Sequence, residues 1–245
     1  MNRRRPCAVV TGGNRGIGLE VCRELGRRGW TVFAGVQAKV ATPVSVRALQ
    51  LDGLDVRAIQ LNVTRSGSPV AAARAVAAAT GSLDALVNNA ACFRPGTTLD
   101  LDEASLLEMF DVNVVGVVRT VQAFLPLLRG ANLARIVNVT SATASMSLTA
   151  SGSPLPGDRA ARAAYVMSKT ALNMYTLQLA EALRADPQSK CISVTAVSPG
   201  WTRTRMNSFT ARRSPAEGAA VIVDAVTIPS APNGRFLGHQ GDVPW

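Results

Sequence analysis

The sequence predicts an α/β protein built on a single doubly wound parallel sheet with helices on both faces. Two observations carry that expectation. Short apolar runs alternate with helical patterns along the whole chain, the rhythm of parallel strands joined by crossover helices. The first of these runs, Ala8-Val9-Val10, passes through Thr11 into glycines at 12, 13, 16 and 18 before an amphipathic stretch from Leu19 to Arg28. Strand, glycine turn and helix follow one another there. Glycine lacks a Cβ, so the turn can be tight and a ligand can approach the backbone. The free N–H groups and positive dipole end of the helix favour a phosphate at that turn. The spacing is T-G-x-x-x-G-x-G rather than the common G-x-G-x-x-G.

Length and composition bound the rest. A chain of 245 residues with 47% hydrophobic composition suits one domain spanning 1–245. No apolar run approaches the roughly 20 residues of a membrane span. Met1 to Pro6 carries Arg3, Arg4 and Arg5, but the apolar run behind it ends at Val10 in the glycine turn, so no secretory leader is expected. Cys7, Cys22, Cys92 and Cys191 are scattered with no C-x-x-C pair, which fits reduced cysteines in a cytoplasmic protein and no metal site. The net charge of +10 invites a nucleic-acid partner. The arginines are spread along the chain without a basic helix or interleaved aromatics, so neither nucleic acid nor membrane is expected as a partner.

The elements follow in order. A second strand is expected from Trp30 to Val36, a short weak helix from Pro43 to Gln50, and a third strand from Val56 to Val63. Ser68-Pro69 opens an alanine-rich helix to Thr80, with Ser68 as cap and Pro69 at the first helical position. A fourth strand, Leu83 to Ala90, enters the loop Asn88-Asn89-Ala90-Ala91. Leu101 to Leu128 holds one long helix bent near its start, with Glu108, Asp111, Arg119 and Gln122 on a narrow polar stripe. Its wide apolar face implies burial against more than the sheet. Ala134 to Thr140 is the fifth strand, and Ser141 to Ala161 has no period and reads as a loop or lid. Ala163 to Arg184 is the second long helix and Ile192 to Val197 the sixth strand. Ser214 and Glu217 have the spacing of a capping box that starts a helix to about Val226. Gly234 to Gly238 is a short last strand.

Tyr165 and Lys169 stand at i and i+4, on one face of the second long helix. An ammonium near a phenol stabilises phenolate and lowers the tyrosine towards the range of a general acid. Lysine is rare in this chain, at 39, 169 and 190 only, so Lys169 within an apolar helix stands out.

Thr11-Gly12, Gly16, Gly18, Asn88-Asn89-Ala90, Asn113, Ser141, Tyr165-x-x-x-Lys169 and Pro199-Gly200 together resemble the short-chain dehydrogenase/reductase family over essentially the entire chain. The run Ser198 to Met206, the segment from Arg213 to Gly218 and the terminal Trp245 are similar to its carbonyl-reductase branch. The resemblance implies a Rossmann-type fold and an oxidoreductase that reduces the carbonyl of a small molecule. Tyr165 would donate a proton to the carbonyl oxygen, and Ser141 would hydrogen-bond the same oxygen. Lys169 would hold the nicotinamide ribose and depress the Tyr165 pKa, and Asn113 would keep a water linking Lys169 to solvent. The cofactor would be held by Gly12, Asn14, Arg15, Gly16, Ile17, Gly18, Gln37, Asn62, Val63, Asn89, Ala90, Tyr165, Lys169, Pro199, Gly200, Thr202 and Thr204. Substrate would meet the variable loops 92–98, 142–161 and 201–213.

Two positions depart from the family pattern. Ala91 stands where a glycine is common, and Asn62 where an aspartate accepts from the adenine amine; an asparagine carbonyl can still accept that bond. The cofactor expected is NADPH. An acid at the end of the second strand binds the ribose of NAD, and a basic group there suits the phosphate of NADP. Val36 occupies the place of that acid, with Gln37 and Lys39 beside it and Arg15 in the glycine turn. A protein that senses NADP(H) without turnover is the rival reading, against which the presence of both Tyr165 and Lys169 weighs. A monomer is expected rather than a homodimer.

Overall fold

The computed structural model describes residues 4–37, 42–158, 161–229 and 233–245. Lys39 and Arg3, both named above, lie outside the described residues, as do positions 159 and 160 of the variable loop. Among the described residues one sheet runs in the order β3-β2-β1-β4-β5-β6-β7-β8. The strands are β1 Cys7–Val10, β2 Thr31–Val36, β3 Val56–Gln60, β4 Ala85–Asn88, β5 Ala134–Val139, β6 Ile192–Ser198, β7 Arg235–Gly238 and β8 Gly241–Asp242. Every neighbouring pair is parallel except β7 with β8. Strands β1, β2, β4 and β5 are buried at every position, which is why they read as unbroken apolar runs: both faces are covered.

Helices α1 (Gly16–Arg27), α2 (Val44–Leu51) and α8 (Pro215–Thr227) cover one face, packing Val21, Leu25, Leu49 and Ile222 against it. On the other, α3 (Gly67–Thr80), α5 (Gly116–Arg129) and α7 (Ala163–Ala185) bury Val76, Phe124 and Leu172. The chain builds outward from β1 to β3, then returns to lay β4 on the opposite side of β1. Ligands of such sheets bind where the order reverses, outside the carboxyl ends of the strands. The glycine turn after β1 and the loop after β4 meet there.

Several boundaries differ from expectation for local reasons. Strand β3 ends at Gln60 rather than Val63, because Asn62 turns the chain: its Oδ1 accepts from Thr64 N (3.0 Å) and Thr64 Oγ1 (2.8 Å). Ser68 does not cap α3, which starts at Gly67; its Oγ instead accepts from Asn62 N at 2.9 Å. The long helix is α4 (Glu103–Phe110) and α5 joined by a π-turn at Asp111–Val115, so its irregularity lies in the middle, at Asn113, rather than near the start. By length and composition Glu103–Arg129 could cross a membrane. Its residues Met109, Val117, Val121, Phe124 and Leu128 are buried in this fold, which makes it a core helix. The stretch after Ser141 is also more regular than a loop, with a single 3₁₀ turn at Ala142–Ala144 and a short helix α6 (Met146–Ala150) capped by Ser145. Strand β8 was not expected from the sequence; two residues carry no periodicity. The capping box before α8 is present, with Ser214 N donating to Glu217 at 2.7 Å.

Candidate active site

The glycine turn is held to β4 by one hydroxyl. Thr11 Oγ1 accepts from the N–H groups of Asn89 and Ala90, each at 2.9 Å, and Asn89 Nδ2 donates back to the Thr11 carbonyl at 2.9 Å. Asn89 and Ala90 therefore fix the turn against the sheet, and Thr11, not among the expected site residues, is the centre of that lock. Its signal was the threonine that precedes the glycines. Gly12 and Gly16 take positive φ (64° and 53°), where a side chain is strained. A Cβ on Gly18 would fall 2.5 Å from both Asn89 Nδ2 and the Gly12 carbonyl oxygen. Helix α1 then begins with no side-chain cap at Arg15 and no acid in its first turn. Its leading N–H groups and dipole suit an anion, so the turn fits a dinucleotide phosphate. Arg15 is exposed and forms no ion pair among the described residues, while Asn14 contributes its carbonyl to Ser45 Oγ (2.7 Å) and Ile17 packs on the core.

Towards the outer strands, Val36 ends β2 buried and Gln37 follows exposed. The Asn62 carbonyl, expected to accept from the adenine amine, is already accepting twice from Thr64. What Asn62 offers outward is the Nδ2 donor. The Val63 side chain packs where a Cβ on Gly116 would come within 2.9 Å, and its carbonyl accepts from Arg119.

The four residues expected to carry chemistry lie at the carboxyl ends of β5 and the neighbouring helices. Ser141 follows β5, its Oγ 2.8 Å from Thr143 Oγ1. The turn after it is tied to α7 through the Ala144 carbonyl, which accepts from Thr170 and Asn173. Tyr165, in the first turn of α7, meets the edge of Phe93 at 5.6 Å between ring centroids, and its hydroxyl makes no hydrogen bond among the described residues. Lys169 is buried, donates from Nζ to the Val139 carbonyl at 2.9 Å, and sits 5.8 Å from the Tyr165 ring centroid.

The electrostatics correct one expectation. Burial pushes the Tyr165 phenol up to about 12 and the Lys169 ammonium down to about 8. Loss of hydration outweighs the expected help from lysine to phenolate in the chain by itself. Asn113 is buried in the π-turn between α4 and α5. Its Nδ2 donates to the Cys92 carbonyl (3.1 Å) and Ser168 Oγ (3.0 Å), and its Oδ1 accepts from Cys92 N (3.0 Å). The side chain is a strut tying the π-turn to loop 92 and to α7. Phe93 and Thr143 fall within the loops expected to meet substrate, whereas Ser168, a site neighbour through Asn113, was missed because it carries no spacing signal of its own.

Beyond β6, Gly200 has φ of 76°, and a Cβ there would come within 2.9 Å of His239 Nδ1. Thr202 is buried with Oγ1 bonded to the Pro199 and Gly200 carbonyls (3.2 Å each), so it shapes this loop from inside. Thr204 faces the glycine turn, its Cγ2 3.7 Å from where a Gly16 Cβ would stand.

A glycine cradle at the switch point, with a serine just past β5 and a tyrosine and lysine on the neighbouring helix α7, defines the class: an oxidoreductase on a doubly wound sheet. The chain belongs to the short chain dehydrogenase family, whose pattern matches residues 6–214. Fluoren-9-ol dehydrogenase of Terrabacter sp. (strain DBF63) is 33% identical over 243 residues, covering 95% of this chain and 66% of that protein. Short-chain dehydrogenase/reductase 1 of Saponaria officinalis is 29% identical, covering 97% and 95%. The solved structure of NADPH-bound carbonyl reductase from chicken fatty liver superposes with a TM-score of 0.86 at 27% identity, covering 99% of this chain and all (100%) of that one.

Proposed function

We propose that this chain is an NADPH-dependent carbonyl reductase, acting in the cytoplasm on a ketone, aldehyde or quinone of a small molecule. The observation that carries the reading is the Tyr165–Lys169 pair at the end of β5: a phenol hydroxyl with no hydrogen-bond partner among the described residues, beside a buried lysine anchored on Val139. The glycine turn, Gln37 and Arg15 would hold the dinucleotide, with Val36 in place of the acid that would repel its phosphate. The similarity to an NADPH-bound carbonyl reductase supports the same cofactor and reaction.

The cofactor supplies the hydride that goes to the carbonyl carbon. The chain supplies the rest. Ser141 orients the carbonyl oxygen, and Tyr165 gives that oxygen its proton as negative charge develops there. Lys169, held in place by Val139, stabilises the phenolate left behind once ligands exclude water from the pair. The neutral phenol pushed up to about 12 is the form a proton donor needs.

Mixing the protein with NADPH and an activated ketone or quinone should bleach the dihydronicotinamide absorbance. Tyr165→Phe should bind NADPH normally and lose roughly 10²–10⁴-fold in turnover, the contribution of a positioned acid. Near-normal turnover in that variant would refute the mechanism.

A further inference from the structure

The loop that follows β6 carries Arg203, Arg205, Arg212 and Arg213, and none of them forms an ion pair among the described residues. This is unlike Arg4, Arg23, Arg57, Arg94, Arg119 and Arg129, each of which reaches a carboxylate. The nearest acid in sequence, Glu217, is occupied by the capping box, accepting from Ser214 N and Oγ. The loop closes on itself, with Arg203 N donating to the Arg213 carbonyl at 2.8 Å, so its two ends are held side by side.

Arg212 and Arg213 line a cavity of about 470 Å³ together with Thr210, Gln240, His239 and Trp201. Its wall contains five side chains able to donate a hydrogen bond besides the indole, and no carboxylate. Arg213 is set from behind: Nη2 donates to the Glu217 carbonyl at 2.9 Å, while its buried Nε has no partner among the described residues. Trp201 supplies a flat apolar side, its ring about 3.2 Å from where a Gly157 Cβ would stand.

The cavity lies at the same end of the sheet as the catalytic side chains. Its remaining wall is Pro156, whose carbonyl accepts from Arg162 at 2.5 Å, three residues ahead of Tyr165. The variable loops on either side of the catalytic tyrosine therefore share this cavity. A guanidinium fork recognises a carboxylate bidentately, and the exposed Arg212 is free to offer one here, with the neighbouring donors fixed around it.

We propose that this cavity binds the carboxylate end of the carbonyl substrate, so that the enzyme reduces keto acids in preference to neutral ketones. The proposal rests on the reductase reading above and narrows its substrate class. The reaction balances as before: the carbonyl gains the hydride and the Tyr165 proton, and the carboxylate is unchanged.

The test uses the full-length protein and ω-benzoylalkanoates of increasing chain length, each compared with its methyl ester. With NADPH, the acid of best-fitting length should exceed its ester in kcat/KM by about tenfold or more at low salt, and added salt should erode the difference. Arg212→Gln, at an exposed position, should raise KM for the acid about tenfold and leave the ester unchanged. The same acids should quench Trp201 fluorescence in the wild type with NADP⁺ present, less so in Arg212→Gln, and not in Trp201→Phe. Equal use of acid and ester throughout the series, or an Arg212→Gln variant that weakens both alike, would overturn the proposal. Quenching by acids without any acid preference in turnover would overturn it too, since the cavity would then serve an effector. Should no carbonyl compound be reduced at all, the reductase reading fails, and the fluorescence titration alone still decides whether carboxylates bind.

Discussion

Lys169 donates from Nζ to the carbonyl of Val139 at 2.9 Å, joining helix α7 to the end of the fifth strand. Burial makes a lysine easier to neutralise than an exposed one, and loss of hydration brings Lys169 down to about 8.

That shift gives a pH prediction. The folded pKa lies below the unfolded value of about 10.4, so between pH 8 and that value the unfolded chain binds more protons. Stability contributed by this group therefore rises with pH across that window and is lowest below pH 8. Lys169→Met should lack the rise, which amounts to roughly 3 kcal/mol from a shift of this size. Urea unfolding of both proteins from neutral to alkaline pH measures it; parallel curves would show that the lysine is not desolvated.

Gly18 sits where a Cβ would come 2.5 Å from two neighbours, one of them the Gly12 backbone carbonyl. Backbone cannot step aside as a flexible side chain can. Gly18→Ala should lose about 1–3 kcal/mol of stability, the usual cost of overpacking. It should also bind NADP⁺ at least about tenfold more weakly. Unchanged binding in a folded variant would place the dinucleotide elsewhere.

We propose that Arg15 carries the cofactor preference. Wild type should favour NADPH over NADH by about tenfold in kcat/KM, or roughly 1.4 kcal/mol. Arg15→Ala should weaken NADPH and leave NADH nearly unchanged. Equal use of the two by the wild type would reject the assignment.

Asn62 presents a donor where the family pattern has an acceptor, because Thr64 takes its carbonyl. Asn62→Asp would keep the bonds to Thr64 and turn a second acceptor outward. We expect NADP⁺ to bind several-fold tighter, as read by equilibrium fluorescence titration, in line with roughly 0.5–1.5 kcal/mol for one hydrogen bond. Weaker or unchanged binding would mean that the adenine amine is not read at this position.

The sheet, the glycine turn and the shared helix face of Tyr165 and Lys169 were legible in the sequence, because those signals are local. A parallel strand buried on both faces must be an apolar run, as β1, β4 and β5 are. A tight turn against a strand must use glycine, and an i, i+4 pair must share a helix face. The capping box at Ser214 was readable for the same reason. Tertiary structure decided what depends on contacts between distant segments. Asn113 became a strut because Cys92 and Ser168 come to it from 21 and 55 residues away. Ser68 gave up the cap of α3 because the Asn62 N–H lay within reach. The pKa values of Tyr165 and Lys169 moved apart because packing removed water from both, and no spacing rule reports desolvation. The arginine-lined cavity belongs to the same class: its wall draws on residues from 156, 201–213 and 239–240, which only the folded sheet brings together.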